Sequence, residues 1–147
     1  MTLEVDKILR ILPHRPPLLM LDRVVKLDPW RSATGIKCVT FNEPIFAGQI
    51  WDTPALPPSL CLEAMTQLMC VLAFASNAAP PERHTFMLAG AERVKFRQPI
   101  VPGDVLQVAV EVLQHRSNIW KCQCTAHVGE QLCAEAELLA AVQGHDG

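Results

Sequence analysis

Apolar and polar positions recur at two different periods along this chain. Residues 3, 5, 8, 9, 11 and 12 are apolar, the spacing of a short amphipathic helix over residues 3–11. Prolines at 13, 16 and 17 end it, because each removes a backbone donor and favours extended backbone around it. Residues 18–27 and 34–40 read as two strands, joined into a hairpin by the turn Asp28-Pro29-Trp30-Arg31-Ser32. Residues 41–58 are irregular, punctuated by Pro44, Gly48, Pro54, Pro57 and Pro58. Residues 59–76 are apolar nearly all round and span about five turns of helix. Such a helix belongs inside a protein, and Pro57 and Pro58 suit its first turn, where a missing N–H costs least. After a loop over 77–84, residues 85–96, 104–115, 118–128 and 131–142 read as strands. The turns between the later ones are Gly103-Asp104, Arg116-Ser117-Asn118 and Gly129-Glu130. The prediction is a single α+β domain over residues 1–147, an antiparallel sheet ending in a meander and wrapped around one long helix.

Composition narrows the class. Hydrophobic residues make up 50% and charged residues 19% of the 147, which excludes a disordered or highly charged chain. The formal net charge of −2 lacks the basic excess of a general nucleic-acid binder. No apolar run is expected to reach the ~18–20 residues that cross a bilayer. The start, Met1-Thr2-Leu3-Glu4-Val5-Asp6, carries acids where a signal peptide needs positive charge. A cytoplasmic protein without membrane contact is the expectation. The six cysteines form no C-x-x-C pair and no zinc spacing, so they are expected to be reduced, buried hydrophobes, with no metal and no cofactor.

Several phrases then carry a resemblance. They are Leu12-Pro13-His14-Arg15-Pro16-Pro17-Leu18-Leu19 with Asp22-Arg23-Val24, and Val39-Thr40-Phe41-Asn42-Glu43-Pro44. Further on come Leu62-Glu63-Ala64-Met65-Thr66-Gln67, the run from Ala89 to Asp104 ending Val101-Pro102-Gly103-Asp104, and Cys133-Ala134-Glu135-Ala136-Glu137-Leu138. Together with the element order they resemble the hotdog fold, and within it the FabZ-type 3-hydroxyacyl-acyl-carrier-protein dehydratases. The resemblance implies an acyl-thioester dehydratase of fatty-acid or polyketide-type metabolism. It also implies an acyl carrier protein or CoA thioester as partner, and a homodimer or a trimer of dimers in which the two catalytic groups come from different chains.

At the site the chain departs from that pattern. The family stretch before the central helix reads Gly-His-Phe-Pro and ends in Pro-Gly, whereas this chain has Gly48-Gln49-Ile50-Trp51 and ends in Pro57-Pro58. By the resemblance, Gln49 occupies the catalytic histidine's place and Pro58 that of the glycine whose N–H polarises the thioester carbonyl. Glu63 falls on the acidic partner and Gln67 on the helix glutamine. Dehydration needs a base for the C2 proton, an acid for the leaving hydroxyl and donors at the carbonyl oxygen. A carboxamide has no protonation step near neutral pH, so Gln49 cannot be that base, and Pro58 has no N–H to offer. Dehydratase activity in the homomer is expected to be weak or absent. Glu63 is the one formal charge between Asp52 and Glu82. It reads either as a functional carboxylate, oriented by Gln67 four residues on, or as a charge set in the first helical turn by Ser59 as N-cap.

Two alternatives stand beside a dehydratase. One is a hotdog thioesterase using Glu63 with Gln49, with the Ser59 and Leu60 N–H groups replacing the donor lost at Pro58. The other is a non-catalytic acyl-thioester binder, or a pseudoenzyme subunit completing the site of a histidine-bearing dehydratase in a hetero-oligomer. Trp51 stands where the family has proline and can narrow a substrate channel or cover an interface. Phe86 and Met87 fall near the family's gating aromatic and are expected to pack as core. His14 is expected to be structural, and His84 a solvated residue at a loop edge, with an approach to a tunnel mouth as the alternative; His115, His127 and His145 lack partner spacing. Arg93, Lys95 and Arg97 alternate on one strand and so share a face, opposite Val94 and Phe96. That face is either merely solvated or a docking patch for an acidic carrier.

Overall fold

A computed structural model of the chain describes residues 1–49, 52–77 and 81–145. Six antiparallel strands form one sheet: β1 (Arg23–Asp28), β2 (Ser32–Cys38), β3 (His84–Phe96), β4 (Val105–Arg116), β5 (Ile119–Val128) and β6 (Gln131–Gly144). Their order in space is β1-β2-β4-β5-β6-β3. The hairpin β1–β2 forms as expected, and β4–β5–β6 is a true meander. β3 departs from it. It does not pair with β4, its successor in the chain, but lies at the far edge against β6, with Phe86 opposite Val142 and Ala91 opposite Leu138. The connection over residues 97–104 thereby carries the chain across the sheet, so that β4 joins β2, Ile36 opposite Gln107. Its end is a built turn: Asp104 accepts from the Val101 N–H at 2.9 Å, and Gly103, at φ +98°, donates to the Val39 carbonyl at 2.9 Å.

The long helix α2 (Pro58–Asn77) runs inside this sheet, with α1 (Val5–Ile11) beside it. It is buried on more than one face: Ala64, Met65, Leu68, Met69, Val71, Leu72 and Ala73 are all fully enclosed, while Leu60 and Leu62 are half-buried against the same core. β2 makes room for it at Gly35, where a Cβ would stand 3.2 Å from both Leu21 Cδ2 and Leu68 Cδ1. At 20 residues α2 is, contrary to the sequence expectation, long and apolar enough to cross a bilayer by length and composition, but most of it is buried against the protein's own strands.

Three local departures have physical causes. The first strand starts only at Arg23, not residue 18, because the Leu18 carbonyl and Met20 N–H are taken by the Gln67 side chain of α2. The first helix starts at Val5 because Leu3 pairs instead with Val24, at 2.8 and 2.9 Å. The cysteines are all free, as expected; Cys61, Cys70, Cys122, Cys124 and Cys133 are buried, but Cys38 at the end of β2 is exposed. Burial pushes the Cys61 and Cys122 thiols up to about 12, which keeps both inert as nucleophiles.

Candidate active site

A cavity of about 630 Å³ lies between the end of α1 with the segment after it, one face of α2, and the start of β3. Glu63 and Gln67 reach it from α2, His14 and Arg15 from the segment after α1, and Phe86 from β3. Glu63 is partly enclosed, its side chain 29% exposed. Gln67, one turn on and fully buried, donates from Nε2 to Glu63 Oε1 at 2.8 Å and to the Leu18 carbonyl at 2.9 Å, and accepts from the Met20 N–H at 2.8 Å. Every polar atom of that amide is used, so Gln67 is a rigid anchor for the carboxylate. The Glu63 charge is felt two turns further on: it adds to burial in raising the Cys70 thiol well above its ordinary value.

The first-turn alternative for Glu63 does not hold. α2 starts at Pro58, so Glu63 lies in the second turn and no acid stands in the first. Ser59 is accordingly inside the helix and cannot be its N-cap.

The structure brings to the site a residue expected from the sequence to be structural. His14 Nε2 lies 3.5 Å from Glu63 Oε1, and His14 Nδ1 is buried with no hydrogen-bond partner among the described residues. The segment carrying it is clamped by Arg15, whose guanidinium donates to the carbonyls of Leu9, Leu12 and His14 at 2.8–3.0 Å. Nothing in residue spacing joins position 14 to position 63; only the fold does.

Gln49 sits elsewhere in the chain. Its Nε2 donates to the carbonyls of Ile45 and Ala55, both at 3.2 Å, and its Oε1 accepts from the Ala55 N–H at 3.4 Å. The amide braces its own loop, and within one chain it does not meet Glu63. Pro58, Ser59 and Leu60 also lie away from this cavity. The Leu60 N–H is already given to the Pro57 carbonyl at 2.9 Å, which removes one of the two donors proposed to replace the lost one. Trp51 lies outside the described residues.

Phe86 is half-buried and lines the cavity, but Met87 is 53% exposed and does not pack as core. His84 opens β3 rather than lying in a loop, and it too borders the cavity, as does His145, which hydrogen-bonds Thr85. His115 packs against Trp30 and Trp120 at ring-centroid distances of 4.9 and 4.4 Å. Among the described residues no cluster of His, Cys, Asp or Glu could hold a metal.

The basic face exists but is internally balanced. Arg93 pairs with Glu137 at 2.5 Å, Arg97 with Glu135 at 2.8 Å, and Lys95 with Glu135 at 4.0 Å. The expected strict alternation is broken by a register shift between Glu92 and Lys95, with Arg93 at φ +50°, and Phe96 ends up 48% exposed instead of inward.

One antiparallel sheet closed around a central helix, with a carboxylate of that helix at a cavity, defines a hotdog domain. The chain belongs to the FabA-like family, whose domain pattern matches residues 12–137. It is 44% identical over 141 residues to the 3-hydroxyacyl-[acyl-carrier-protein] dehydratase FabZ of Sorangium cellulosum, covering 96% of this chain and 91% of that one. It is 41% identical to the FabZ of Oleidesulfovibrio alaskensis over 98% of this chain and 94% of the other. Among solved structures it is similar to a chain of the dehydratase heterocomplex ApeI:P from Xenorhabdus doucetiae. The TM-score is 0.78 at 17% identity, over 93% of this chain and 91% of that one, a likeness of fold.

Proposed function

We propose that this chain is a cytoplasmic FabZ-like protein that binds 3-hydroxyacyl thioesters of an acyl carrier protein or CoA and dehydrates them slowly or not at all as a homomer. The observation that carries this is the contrast between two amides. Gln67 holds Glu63 at the cavity, whereas Gln49, in the place of the histidine, is spent on the Ile45 and Ala55 carbonyls. A lost acid or base costs ~10²–10⁴-fold and a lost oxyanion donor ~10²–10³-fold, and Gln49 and Pro58 remove one of each.

The second chain docks at the free edge of β3, a 13-residue strand with hydrogen-bonding groups open on one side and Met87 and Leu88 exposed. A homodimer, further assembled as a trimer of dimers, uses this edge. A histidine-bearing dehydratase docking there gives a hetero-oligomer in which Glu63 supplies half a site. Arg93, Lys95 and Arg97 receive the acidic carrier.

Product analysis with a 3-hydroxyacyl thioester tests the proposal. The wild-type homomer is expected to lose water from it far more slowly than a dehydratase with histidine at this position. Gln49→His with Pro58→Gly should raise the rate, the pair exceeding either single change because the groups act as a unit. Mixing the wild type with an ordinary dehydratase should give mixed oligomers whose activity drops on Glu63→Ala. Normal dehydration by the wild-type homomer overturns the proposal, and release of free thiol in place of water establishes a thioesterase.

A further inference from the structure

We infer that His14 is a positioning residue for Glu63. Its imidazole N–H and the Gln67 amide both donate to Oε1, so that Oε2 is presented to the acyl substrate. The inference deepens the proposed function and rests on Glu63 being the retained half of the site.

Three observations carry it. First, Gln67 Nε2 donates to Oε1 at 2.8 Å, and His14 Nε2 stands 3.5 Å from the same oxygen. Oε2 has no hydrogen bond to any described residue. A carboxylate held by one oxygen keeps a fixed plane and a free lone pair, which is what proton transfer at a substrate carbon or hydroxyl requires. The 3.5 Å separation is long for a hydrogen bond, and contacts of this kind in unliganded sites tighten when the substrate binds.

Second, the environment selects the tautomer. His14 Nδ1 is buried and has no hydrogen-bond partner among the described residues, so a proton there would be a buried donor with none of them to receive it. The proton therefore sits on Nε2, facing the carboxylate, an assignment made from the partners of the two ring nitrogens.

Third, the histidine is itself held. Arg15 spends its guanidinium on the Leu9, Leu12 and His14 carbonyls, which fixes the backbone that carries the ring and withdraws the adjacent cation from competition for Glu63. A histidine that merely filled space would need neither a fixed backbone nor a ring nitrogen turned to a carboxylate.

Two measurements test this. The first is imidazole ¹⁵N NMR of the wild-type protein at pH 8, which needs no activity. His14 is expected as the Nε2–H tautomer in the wild type and as a mixture in Glu63→Leu. An Nδ1–H tautomer, or a spectrum unmoved by Glu63→Leu, overturns the inference. The second uses the Gln49→His, Pro58→Gly variant as background. Adding His14→Phe, which keeps an aromatic ring but no donor, should lower kcat roughly 10–100-fold with KM unchanged. His14→Gln, which restores an N–H at similar reach, should recover most of it. An unchanged kcat in His14→Phe, or no recovery with His14→Gln, overturns it. If the background variant itself fails to dehydrate, the account of Gln49 and Pro58 falls, and the ¹⁵N measurement alone decides the role of His14.

Discussion

Single side chains hold this molecule's irregular parts in place. Lys37 on β2 is buried, its side chain 4% exposed, and its ammonium meets Glu43 Oε1 at 2.6 Å, while the other oxygen of Glu43 accepts the Thr40 N–H at 3.0 Å. The Val39-Thr40-Phe41-Asn42-Glu43 phrase is therefore a clip that starts the loop leading to α2. Glu43→Ala leaves a buried ammonium without its partner and should destabilise the protein by about 3–5 kcal/mol, read from chemical denaturation. On the opposite edge, the hydrogen bond from Arg97 lowers the Glu135 carboxyl below its usual value. A carboxylate depressed in the folded state adds stability above its unfolded pKa, and that contribution disappears as pH falls through the folded one. Arg97→Gln should therefore be slightly less stable than the wild type at pH 7 and equal to it in strong acid, where Glu135 is protonated in both. A stability difference that persists undiminished in acid would assign another role to Arg97.

At the scale of elements, α2 and β3 do the most. α2 gathers the core and also projects Glu63 and Gln67 from one of its faces, because residues four apart stack on a helix. Met69 lies fully buried at its middle. Met69→Ala should cost about 2–5 kcal/mol, measured by the shift in denaturant midpoint with the slope unchanged. β3 is the edge strand, with its register shifted at two places along β6. Before those irregularities Phe86 lines the cavity, and beyond the first of them Arg93, with Arg97 just past the strand's end, meets the glutamates of β6. The strand thus joins the cavity wall to the charged face.

For the whole molecule, the charge distribution matters more than the net −2. Arg93, Lys95 and Arg97, joined by Lys121, face Glu135 and Glu137, so the surplus available to an acidic partner is small. Reversing Arg93 and Arg97 to glutamate should weaken carrier binding at least as much as it perturbs stability, since exposed ion pairs contribute only about 0–1 kcal/mol. Binding by the wild type should fall as salt rises, because exposed charges are screened beyond ~8 Å at 0.15 M. Salt-independent binding would move the docking site elsewhere.

The element inventory was legible in the residues. Period-two runs marked β4, β5 and β6 to within two residues, and a segment apolar nearly all round marked α2, because local periodicity reports which sides of an element are buried. The position of Glu63 was legible too, as an isolated charge on a buried helix whose neighbour at i+4 is an amide. Tertiary structure alone decided the rest. That β3 crosses to the far edge depends on which strand offers a free ladder, not on β3 itself. That residues 18–22 are not strand follows from Gln67, nearly fifty positions away, taking their backbone groups. That Arg93, Lys95 and Arg97 are largely neutralised follows from the β3–β6 register, which sets them beside Glu135 and Glu137. And that His14 stands beside Glu63 follows from the packing of the α1 segment on α2: hydrogen bonds between side chains act through space, and sequence spacing records only those within one turn or one strand.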